Sequence, residues 1–570
     1  MKFQWRPAPP QPALCARLSE ALNISPLLAQ CLINRGFSEP DEIARFLQPR
    51  LKYLADPFLL PNMGAAVERL LLAYERGERV VIFGDYDVDG VTTTALLIET
   101  MGGLGWKLAH FLPHRLEEGY GFSQDGVKRC LEQFPAKLLL AVDCGSTSCE
   151  TIAALARDGI DVIVLDHHQV SNPPPAAVAL VNPQLGSAFQ ELCSVGLAFK
   201  LVHALLKKMR ERGPVSAAEP DLRDQLDLVA LGTIADLAPL RGENRIFVTA
   251  GLERLNAPRR PGLLALKAVA KSPARLGSYE VAFQLAPRLN AAGRMEDAEK
   301  ALLLLLARTL EEAEPLAHSL DESNRQRQDI QRGICDEVIA SLRSRFDSAK
   351  DFVIVEGQAG WHIGVVGIVA ARVLQEFHRP TIILGGDGAM WRGSGRSIEG
   401  FDLAAALRGC DELLTRHGGH AMAAGMTLPP EKLLLFRERL NEMARRTLKP
   451  EQLRPSLSVD AEVELGELTV ARVDELAQLE PVGQGNPGVR LAVRGLSHQQ
   501  PPQRMGRENQ HVKFRVMGGR QMLEAVWWNP GQSRWPEGTF DLAVTAAINE
   551  YKGRRSVQLK ILDWRKQETT

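Results

Sequence analysis

Between residues 79 and 240 short apolar runs alternate with segments of helical length: RVVIF then VTTTALLIETM, AKLLLAV then CETIAALARDG, IDVIVL then a proline-rich loop. That rhythm predicts parallel βαβ units in a doubly wound sheet. In such sheets ligands bind beyond the carboxyl ends of the strands, so the residues that follow each apolar run are the informative ones. After VVIF comes GDYDVDG, with Asp85, Asp87 and Asp89; after LLLAV comes Asp143; after VIVL come Asp166, His167 and His168. Asp236, in LGTIADLAPL, closes a further apolar segment that reads as a helix with Pro239 as its stop.

Aspartates at 85, 87 and 89 also match the first half of a calcium-binding EF-hand loop, with Gly90 at its sixth position. Position twelve of that loop is a bidentate glutamate; here it is Leu96, and the segment follows a strand rather than a helix. Both facts count against the calcium reading. Taken singly, each acid is explained equally well as a cap or a turn residue: Asp89 before Gly90 could begin a helix, and Asp143 before Cys144 and Gly145 could shape a loop. Taken together they are not, because carboxylates converging on one partly buried rim raise one another's pKa unless cations neutralise them. Oxygen ligands with one or two imidazoles and no thiolate suit Mn²⁺ or Mg²⁺. Such a ligand set exceeds what one ion with open positions needs, so the rim predicts two divalent cations about 3.5 to 4 Å apart that clamp a phosphoryl group. The expected chemistry is metal-dependent hydrolysis of a phosphate ester or anhydride.

At 570 residues the chain is too long for one core, and domains of roughly 100 to 200 residues each are expected. Hydrophobic residues at 45 % and charged residues at 24 % are those of a soluble globular chain and disfavour the disordered and membrane classes. Prolines interrupt any secretory apolar core in MKFQWRPAPPQPALCARL. The longest aliphatic run, ALLLLLA at 301 to 307, is far short of the ~20 residues that span a bilayer. A soluble, cytoplasmic protein without a membrane partner is the expectation. Eight cysteines without a CxxC pair point to buried reduced thiols rather than a zinc ribbon or disulfides.

Residues 1 to 50 read as short helices packed on the edge of the parallel sheet. Residues 296 to 348 are helix-rich and polar, with Pro315 as a breaker and one long helix from Leu316 to about Ser344, ~43 Å long and able to bridge two domains. A second α/β pattern follows: DFVIVEG as strand, IGVVGIVAARVLQEF as helix, RPTIILGG as strand, ending near Leu448 and Pro450. After SLSVDAEVEL come short alternating segments, HVKFRVM, MLEAVWW, FDLAVTAAI and SVQLKILDW, whose spacing suggests about five strands in an OB-type barrel. A net charge of -1 supplies no global basic field, so nucleic acid would need a local patch. The barrel offers one: Lys513, Arg515, Arg520, Lys552, Arg554 and Arg555 beside Phe514, Trp527, Trp528 and Tyr551. In such a mixture charge tracks a single strand's backbone while rings stack on its bases, at ~1 to 3 kcal/mol per base. Phe514 and one tryptophan read equally well as barrel core.

In chain order DYDVDG, VDCGS, LDHHQ and GTIADLAPL resemble the four motifs of the DHH phosphoesterase superfamily, and GWHIGVVGIVAARV, GSGRS and GGHAMAAGMTL resemble its DHHA1 companion domain. APRLNAAGRMEDA and the terminal NEYKGRRSVQLKILDW are similar to the RecJ family of bacterial single-strand-specific 5′ to 3′ DNA exonucleases. The resemblance runs from about residue 50 to the end. It implies a fold of two α/β domains, a DHH-type parallel sheet over 51–295 and a DHHA1-type domain over 350–450, joined by helices over 296–349. A helical segment over 1–50 and an OB-like nucleic-acid-binding barrel over 451–570 complete it.

The same resemblance implies metal ligation by Asp87, Asp89, Asp143, His167 and Asp236, with Asp143 as the bridge. Asp85 and Asp166 would orient those ligands, and His168 would contact the scissile phosphate or lie beside the metals. His420 takes a place beside the active site, although a histidine in such a turn also reads as structural. A terminal 5′ phosphate is gripped best by guanidiniums and backbone amides, which the GSGRS turn offers through Ser394, Gly395 and Arg396. Arg115 and Arg294 are similar in position to arginines of the family's DNA channel, Arg288 less so; a surface or interdomain salt bridge explains each of the three equally well. The implied activity is removal of 5′-mononucleotides from single-stranded DNA with a free 5′ end, using two divalent cations, Mn²⁺ or Mg²⁺, in DNA repair and recombination. A single-strand-binding protein and a helicase are the implied partners, and a narrow cleft between the α/β domains would exclude duplex. Two readings compete. One is a phosphatase or short-oligonucleotide nuclease of the superfamily, whose members lack the barrel. The other is a non-catalytic single-strand-binding replication scaffold, against which the intact acids speak.

Overall fold

The computed structural model describes residues 3–114, 121–186, 189–212, 219–498, 500–531 and 535–567. The chain divides into two units, Pro49–Ile334 with Pro481–Asn486, and Met1–Gln48 with Cys335–Glu480 and Pro487–Thr570.

The first unit is built on the doubly wound sheet. Five parallel strands lie in the order Lys107–Phe111, Arg79–Phe83, Leu138–Val142, Asp161–Leu165 and Ala179–Val181. The chain enters at the second position, steps to one edge and then runs to the other, so the strand order reverses between Arg79–Phe83 and Leu138–Val142. Alternate strand residues feed two cores. Val80, Ile82, Leu138, Leu140 and Val142 pack with the helices Met63–Arg76, Val88–Gly103 and Ser194–Arg212. Val81, Phe83, Leu139 and Ala141 pack with Gln124–Gln133 and Cys149–Arg157. Burial on both faces is why these strands read as unbroken apolar runs. Each fully buried aliphatic side chain contributes roughly 1.5 to 3 kcal/mol, so the strand ends that carry the acids are firmly held.

The long helix is Leu310–Arg345, 36 residues and about 54 Å. It runs through Pro315 instead of starting after it. Pro315 is exposed, so the Glu311 carbonyl that loses its amide partner is left to solvent and the proline costs one bond rather than the helix.

The second unit contains a mixed sheet ordered Arg416–His420, Ala423–Leu428, Trp391–Arg396, Thr381–Gly386 and Ile354–Ala359, in which only the last pair is parallel. Helix Val366–Phe377 makes that crossover. GSGRS is therefore mostly strand, not turn: Gly393 to Arg396 are paired on both edges. Leu384 and Leu403 fill the space that side chains at Gly393 and Gly395 would take, which is what the glycines serve.

In the barrel the sheet order is Ala461–Val463, Leu491–Leu496, Phe540–Tyr551, Arg554–Lys566, Gln521–Trp527, His511–Gly518 and Gln503–Met505, seven strands where about five were expected. Ser497 and Met517 exchange backbone hydrogen bonds at 3.0 and 2.8 Å, joining Leu491–Leu496 to His511–Gly518. That bridge closes a five-strand ring of OB type, to which the two three-residue strands are added.

The N-terminal helices Pro12–Leu22, Pro26–Ile33 and Pro40–Leu47 correct one expectation. They pack on the barrel, not on the edge of the parallel sheet. Gln4–Pro7 pairs with Ser456–Val459, Trp5 Nε1 donates to Asp563 at 2.9 Å, and Leu18, Leu28, Leu32 and Ile43 share a core with Val463, Val493 and Phe514. An amphipathic pattern states that a face must be covered, not which surface covers it.

Candidate metal centre

Three strand ends and one helix end converge in the first unit. Beyond Phe83 the chain turns into helix Val88–Gly103 with Asp87 as its cap, Oδ1 accepting from the amides of Asp89 at 2.9 Å and Gly90 at 3.2 Å. Asp89 is 1 % exposed, and its oxygens accept from the amides of Ser194 at 2.7 Å and Val195 at 2.9 Å, at the start of helix Ser194–Arg212. Helix-terminal amides carry partial positive charge, so they replace the water this buried carboxylate has lost. Asp143 follows Val142 directly, accepts from Ser194 Oγ at 2.8 Å, and sits at φ +61°, a left-handed conformation that costs a residue with a Cβ about 1 to 2 kcal/mol. Asp166 Oδ1 accepts from the amides of His167 at 2.8 Å and His168 at 3.1 Å and meets His168 Nδ1 at 2.8 Å, while Oδ2 accepts from the Ser146 amide at 3.0 Å. Asp236 ends helix Leu226–Ala235, as the sequence predicts. That helix approaches closely because Gly232 lacks a side chain: a Cβ there would stand 2.4 Å from Thr92 Oγ1 and 3.1 Å from Asp89 Oδ1.

The electrostatics of this cluster fit divalent cations. His167 Nε2 is buried with no hydrogen-bond partner among the described residues, yet it lies 3.4 Å from Asp143 Oδ1, 3.7 Å from Asp236 Oδ2 and 3.9 Å from Asp89 Oδ2. Ligands at right angles on a small cation, each ~2.1 Å from it, stand about 3 Å apart, close to this spacing. Ligand-capable atoms fall within 4.8 Å of one another in three groups: Asp89, His167 and Asp236; Asp143, His167 and His168; Asp85, Asp87 and Asp143. Asp143 and His167 each belong to two.

Burial, then the charges of Asp89 and Asp87, holds the Asp143 carboxyl well above the usual carboxylate range. Burial raises Asp89 as well, and burial followed by Asp89 and Asp87 pushes Asp236 up to about 8. Burial lowers His167, helped by His168, which favours a neutral ring with a lone pair to give. Asp166 goes the other way: burial would raise it, but hydrogen bonding and charge from His168 hold it below the usual range. Burial likewise opposes the charge on His168, and Asp166 overrides it, carrying the imidazole to about 9. Three acids that resist ionising together, facing a neutral imidazole, are a set that cations can occupy by displacing protons.

The remaining candidates are distributed unevenly. Asp85, 1 % exposed, shares with Asp87 and Asp143 a group of ligand-capable atoms within 4.8 Å of one another. Arg288 is committed to an ion pair with Asp321 at 2.9 Å. Arg294 lies on helix Ala286–Met295, whose Asn290 accepts from the Val88 amide at 3.2 Å and so sets that helix against the aspartate loop. Arg115 lies outside the described residues.

In the second unit Ser394 and Arg396 share one strand face, and Arg396 Nη1 donates to Ser394 Oγ at 3.0 Å and Gly395 O at 2.8 Å. The first turn of Val366–Phe377 lies over them, since a Cβ at Gly367 would meet Ser394 Oγ at 2.9 Å and Arg396 Nη2 at 3.4 Å. A guanidinium and a hydroxyl at a helix N-terminus suit an anion. His420, exposed at the end of Arg416–His420, pairs with Ala423, which pairs with Arg396, so the two lie about 10 Å apart across the sheet. In the barrel Phe514 is core, while Trp528 and Tyr551 are exposed. Lys513 is paired with Glu524 and Arg555 with Asp474, whereas Arg515, Lys552 and Arg554 are exposed to solvent.

Reading charges alone misses the neutral groups. Ser194 serves both Asp89 and Asp143. Asn182 Nδ2 donates to Ser146 Oγ and to His168 O, both at 2.8 Å. The run SVGLAFKLV after Cys193 does signal a helix start. Nothing local indicates that this start points at Asp89.

The chain matches the DHH family, N-terminal domain, over 79–233, the DHHA1 domain over 350–446 and the RecJ OB domain over 459–563. It is 36 % identical over 571 residues to the single-stranded-DNA-specific exonuclease RecJ of Bacillus subtilis, covering 99 % of this chain and 71 % of the relative. It is 37 % identical to that of Dickeya dadantii, covering 94 % and 95 %. Among solved structures, RecJ of Thermus thermophilus in complex with Mn²⁺ superposes with a TM-score of 0.85 at 31 % identity, covering 100 % of this chain and 80 % of that one. The Mg²⁺ complex of the same protein gives 0.79 at 30 %, covering 100 % and 79 %. With three domain matches in order and 36 to 37 % of aligned positions identical over nearly the whole chain, the chain belongs to the RecJ family of single-stranded-DNA-specific exonucleases.

Proposed function

We propose that this protein removes mononucleotides from the 5′ end of single-stranded DNA by two-metal hydrolysis of the phosphodiester. The observation that carries the reading is the buried His167 Nε2 facing carboxylates of Asp143, Asp236 and Asp89 at 3.4, 3.7 and 3.9 Å. Asp87, Asp89, Asp143, His167 and Asp236 would hold two divalent cations, with Asp143 shared. When bound, Mn²⁺ or Mg²⁺ activates water near neutral pH and offsets charge on the phosphoryl oxygens.

The chain's own residues supply position and protons. Ser194 and the amides of its helix fix Asp89 and Asp143, so the ligands need no rearrangement. Asp166 holds the His168 ring through Nδ1 and keeps it charged, leaving Nε2 to donate to the scissile phosphate. Ser394, Gly395 and Arg396 receive the terminal 5′ phosphate, with Arg294 and Arg115 along the strand and His420 beside the site. Exposed Arg515, Lys552 and Arg554 draw the strand to the barrel. Cleavage on the 3′ side of the first nucleotide releases a 5′-mononucleotide and leaves a new 5′ phosphate for the same grip.

Free 5′ single strands arise where a helicase opens duplex, so a helicase and a single-strand-binding protein are the expected partners, in repair and recombination. Seven of eight free cysteines are buried and the eighth half-buried, which fits a reducing cytoplasm. No helix among the described residues is long and apolar enough to cross a membrane. The test is incubation of purified protein and its Asp89→Ala variant with Mn²⁺ and single strands labelled at either end. The wild type should release the 5′ label first, as mononucleotide, faster from 5′-phosphate than from 5′-hydroxyl ends; the variant should bind without cleaving. Earlier release of the 3′ label, or cleavage confined to very short oligomers, would overturn the reading.

A further inference from the structure

Six residues that immediately precede most of the barrel strands, Pro481–Asn486, fold with the catalytic unit. They form a tight turn in which the Gly483 amide donates to Asn486 O at 2.9 Å, the Asn486 amide to Gly483 O at 3.2 Å, and the buried Asn486 Nδ2 to Pro481 O at 2.9 Å. The turn is docked on the segment that follows Asp236. The Leu240 amide donates to Gln484 O at 2.8 Å, Arg241 Nε donates to Gly485 O, and the buried Arg245 Nη1 donates to Pro481 O at 3.3 Å. Gly485, at φ +72°, is required there: a Cβ would stand 2.9 Å from Pro239 Cβ.

The backbone shows why that segment needs holding. Helix Leu226–Ala235 ends at Asp236 in a reversal, with the Leu237 amide donating to Ile234 O and the Ala238 amide to Thr233 O, both at 3.2 Å. Leu237 takes the left-handed φ of +59° at the position where helix ends ordinarily place glycine. Its side chain is 65 % exposed, so burial does not offset the strain. Backbone in such a region persists only where its surroundings over-determine it. Here the surroundings include the bonds from Leu240 and Arg241 to the Pro481–Asn486 turn.

We propose that Pro481–Asn486 is a positioning element for Asp236, clamping the strained exit of the helix so that Asp236 Oδ2 stays 3.7 Å from His167 Nε2. The inference rests on Asp236 being a metal ligand. It makes cation affinity depend on a turn that lies far along the chain, shortly before most of the barrel strands in sequence.

The test uses the full chain and Mn²⁺ itself, titrated by the electron-spin-resonance signal of the free ion. Asn486→Ala, which releases the turn, should weaken at least one Mn²⁺ site about tenfold, the lower end of what loss of a ligand's supporting contacts does. Arg241→Met, which removes a single bond to the turn, should weaken it about threefold. In both, the Mn²⁺ concentration for half-maximal activity should rise while kcat at saturating Mn²⁺ stays within about twofold of wild type. Circular dichroism at the titration temperature establishes that each variant is folded, and Arg241→Met carries the test should Asn486→Ala not fold. Isotherms that superimpose on wild type, or a loss of kcat that no Mn²⁺ restores, would overturn the proposal. The isotherm does not depend on DNA cleavage, so a wild type that binds Mn²⁺ without cleaving DNA sinks only the exonuclease reading.

Discussion

The rim of the parallel sheet and the face of the barrel both concentrate charge, and they hold it in opposite ways. At the rim Asp85, Asp89, Asp143 and Asp166 are each 1 % exposed, and amides and hydroxyls from Ser146, His167, Ser194 and Val195 are aimed at Asp89, Asp143 and Asp166. On the barrel Arg515, Lys552, Arg554 and Arg555 stand in water, and Lys513 and Arg555 already have acidic partners. Removing a dry, hydrogen-bonded charge leaves its partners unsatisfied, whereas an exposed pair is worth about 0 to 1 kcal/mol. The rim should therefore fail residue by residue, and the barrel only by accumulation.

The largest expected effect divides the rim itself. Asp89→Asn should lower kcat/KM on single-stranded DNA by on the order of 10⁴, the scale seen when one member of a catalytic unit is removed. Asp85→Asn should cost about 10- to 100-fold if Asp85 only orients its neighbours. The structure makes the alternative concrete, because Asp85 shares a potential ligand group with Asp87 and Asp143. Equal losses in the two variants would move Asp85 into the ligand set.

That division also marks how far the sequence could be read. The acids and histidines were legible because each follows a strand that its own apolar run announces, as Asp143 follows LLLAV. Asp236 was legible because an apolar helix stops before Pro239. Ser194 and Asn290 were not, since their contacts with Asp89, Asp143 and Val88 span 202 residues in the longest case and leave no periodic trace. The N-terminal helices failed for the same reason: Ile43 shows that it needs a core, and only tertiary contacts, with Gln4–Pro7 paired to Ser456–Val459, choose the barrel's. Pro315 was misread because its exposure, invisible locally, decides whether a proline ends a helix.

An intermediate effect should appear as proton linkage at the rim. An unfolded Asp236 ionises near its ordinary 3.8, and the folded one keeps its proton to about 8. Between those values the folded state binds more protons than the unfolded one, so stability falls as pH rises, by up to about 1.4 kcal/mol per unit for one group. His168 adds the same sign between 6.5 and about 9, because the folded imidazole stays charged after the unfolded one has discharged. Chelator-treated protein should thus show urea midpoints that fall from pH 6 to 8, and saturating Mn²⁺ should stabilise it more at pH 8 than at pH 6. Asp236→Asn should flatten the slope and Arg515→Ala should leave it alone. A slope unchanged by Asp236→Asn would remove that residue from the proton-holding set.

The smallest effects belong to the barrel, and they test whether its charges act at all. Single Arg515→Ala, Lys552→Ala and Arg554→Ala changes should each weaken single-strand binding by less than about fivefold, the scale of one exposed charge. Lys513→Ala and Arg555→Ala should do less, since Glu524 and Asp474 already neutralise those cations. Trp528→Ala should exceed any of them if the exposed ring takes a base, because stacking is worth about 1 to 3 kcal/mol. The decisive measurement is the salt dependence of binding. Each phosphate contact contributes about 0.7 to the slope of log affinity against log salt for a single strand, so the triple variant should lose about two units of slope. The neutral net charge of the chain makes this informative, because a steep wild-type slope can then come only from a local patch. A slope that the triple variant leaves intact would move that patch off the barrel, and the contrast between a dry rim and a wet binding face would have to be redrawn around Arg294 and Arg396.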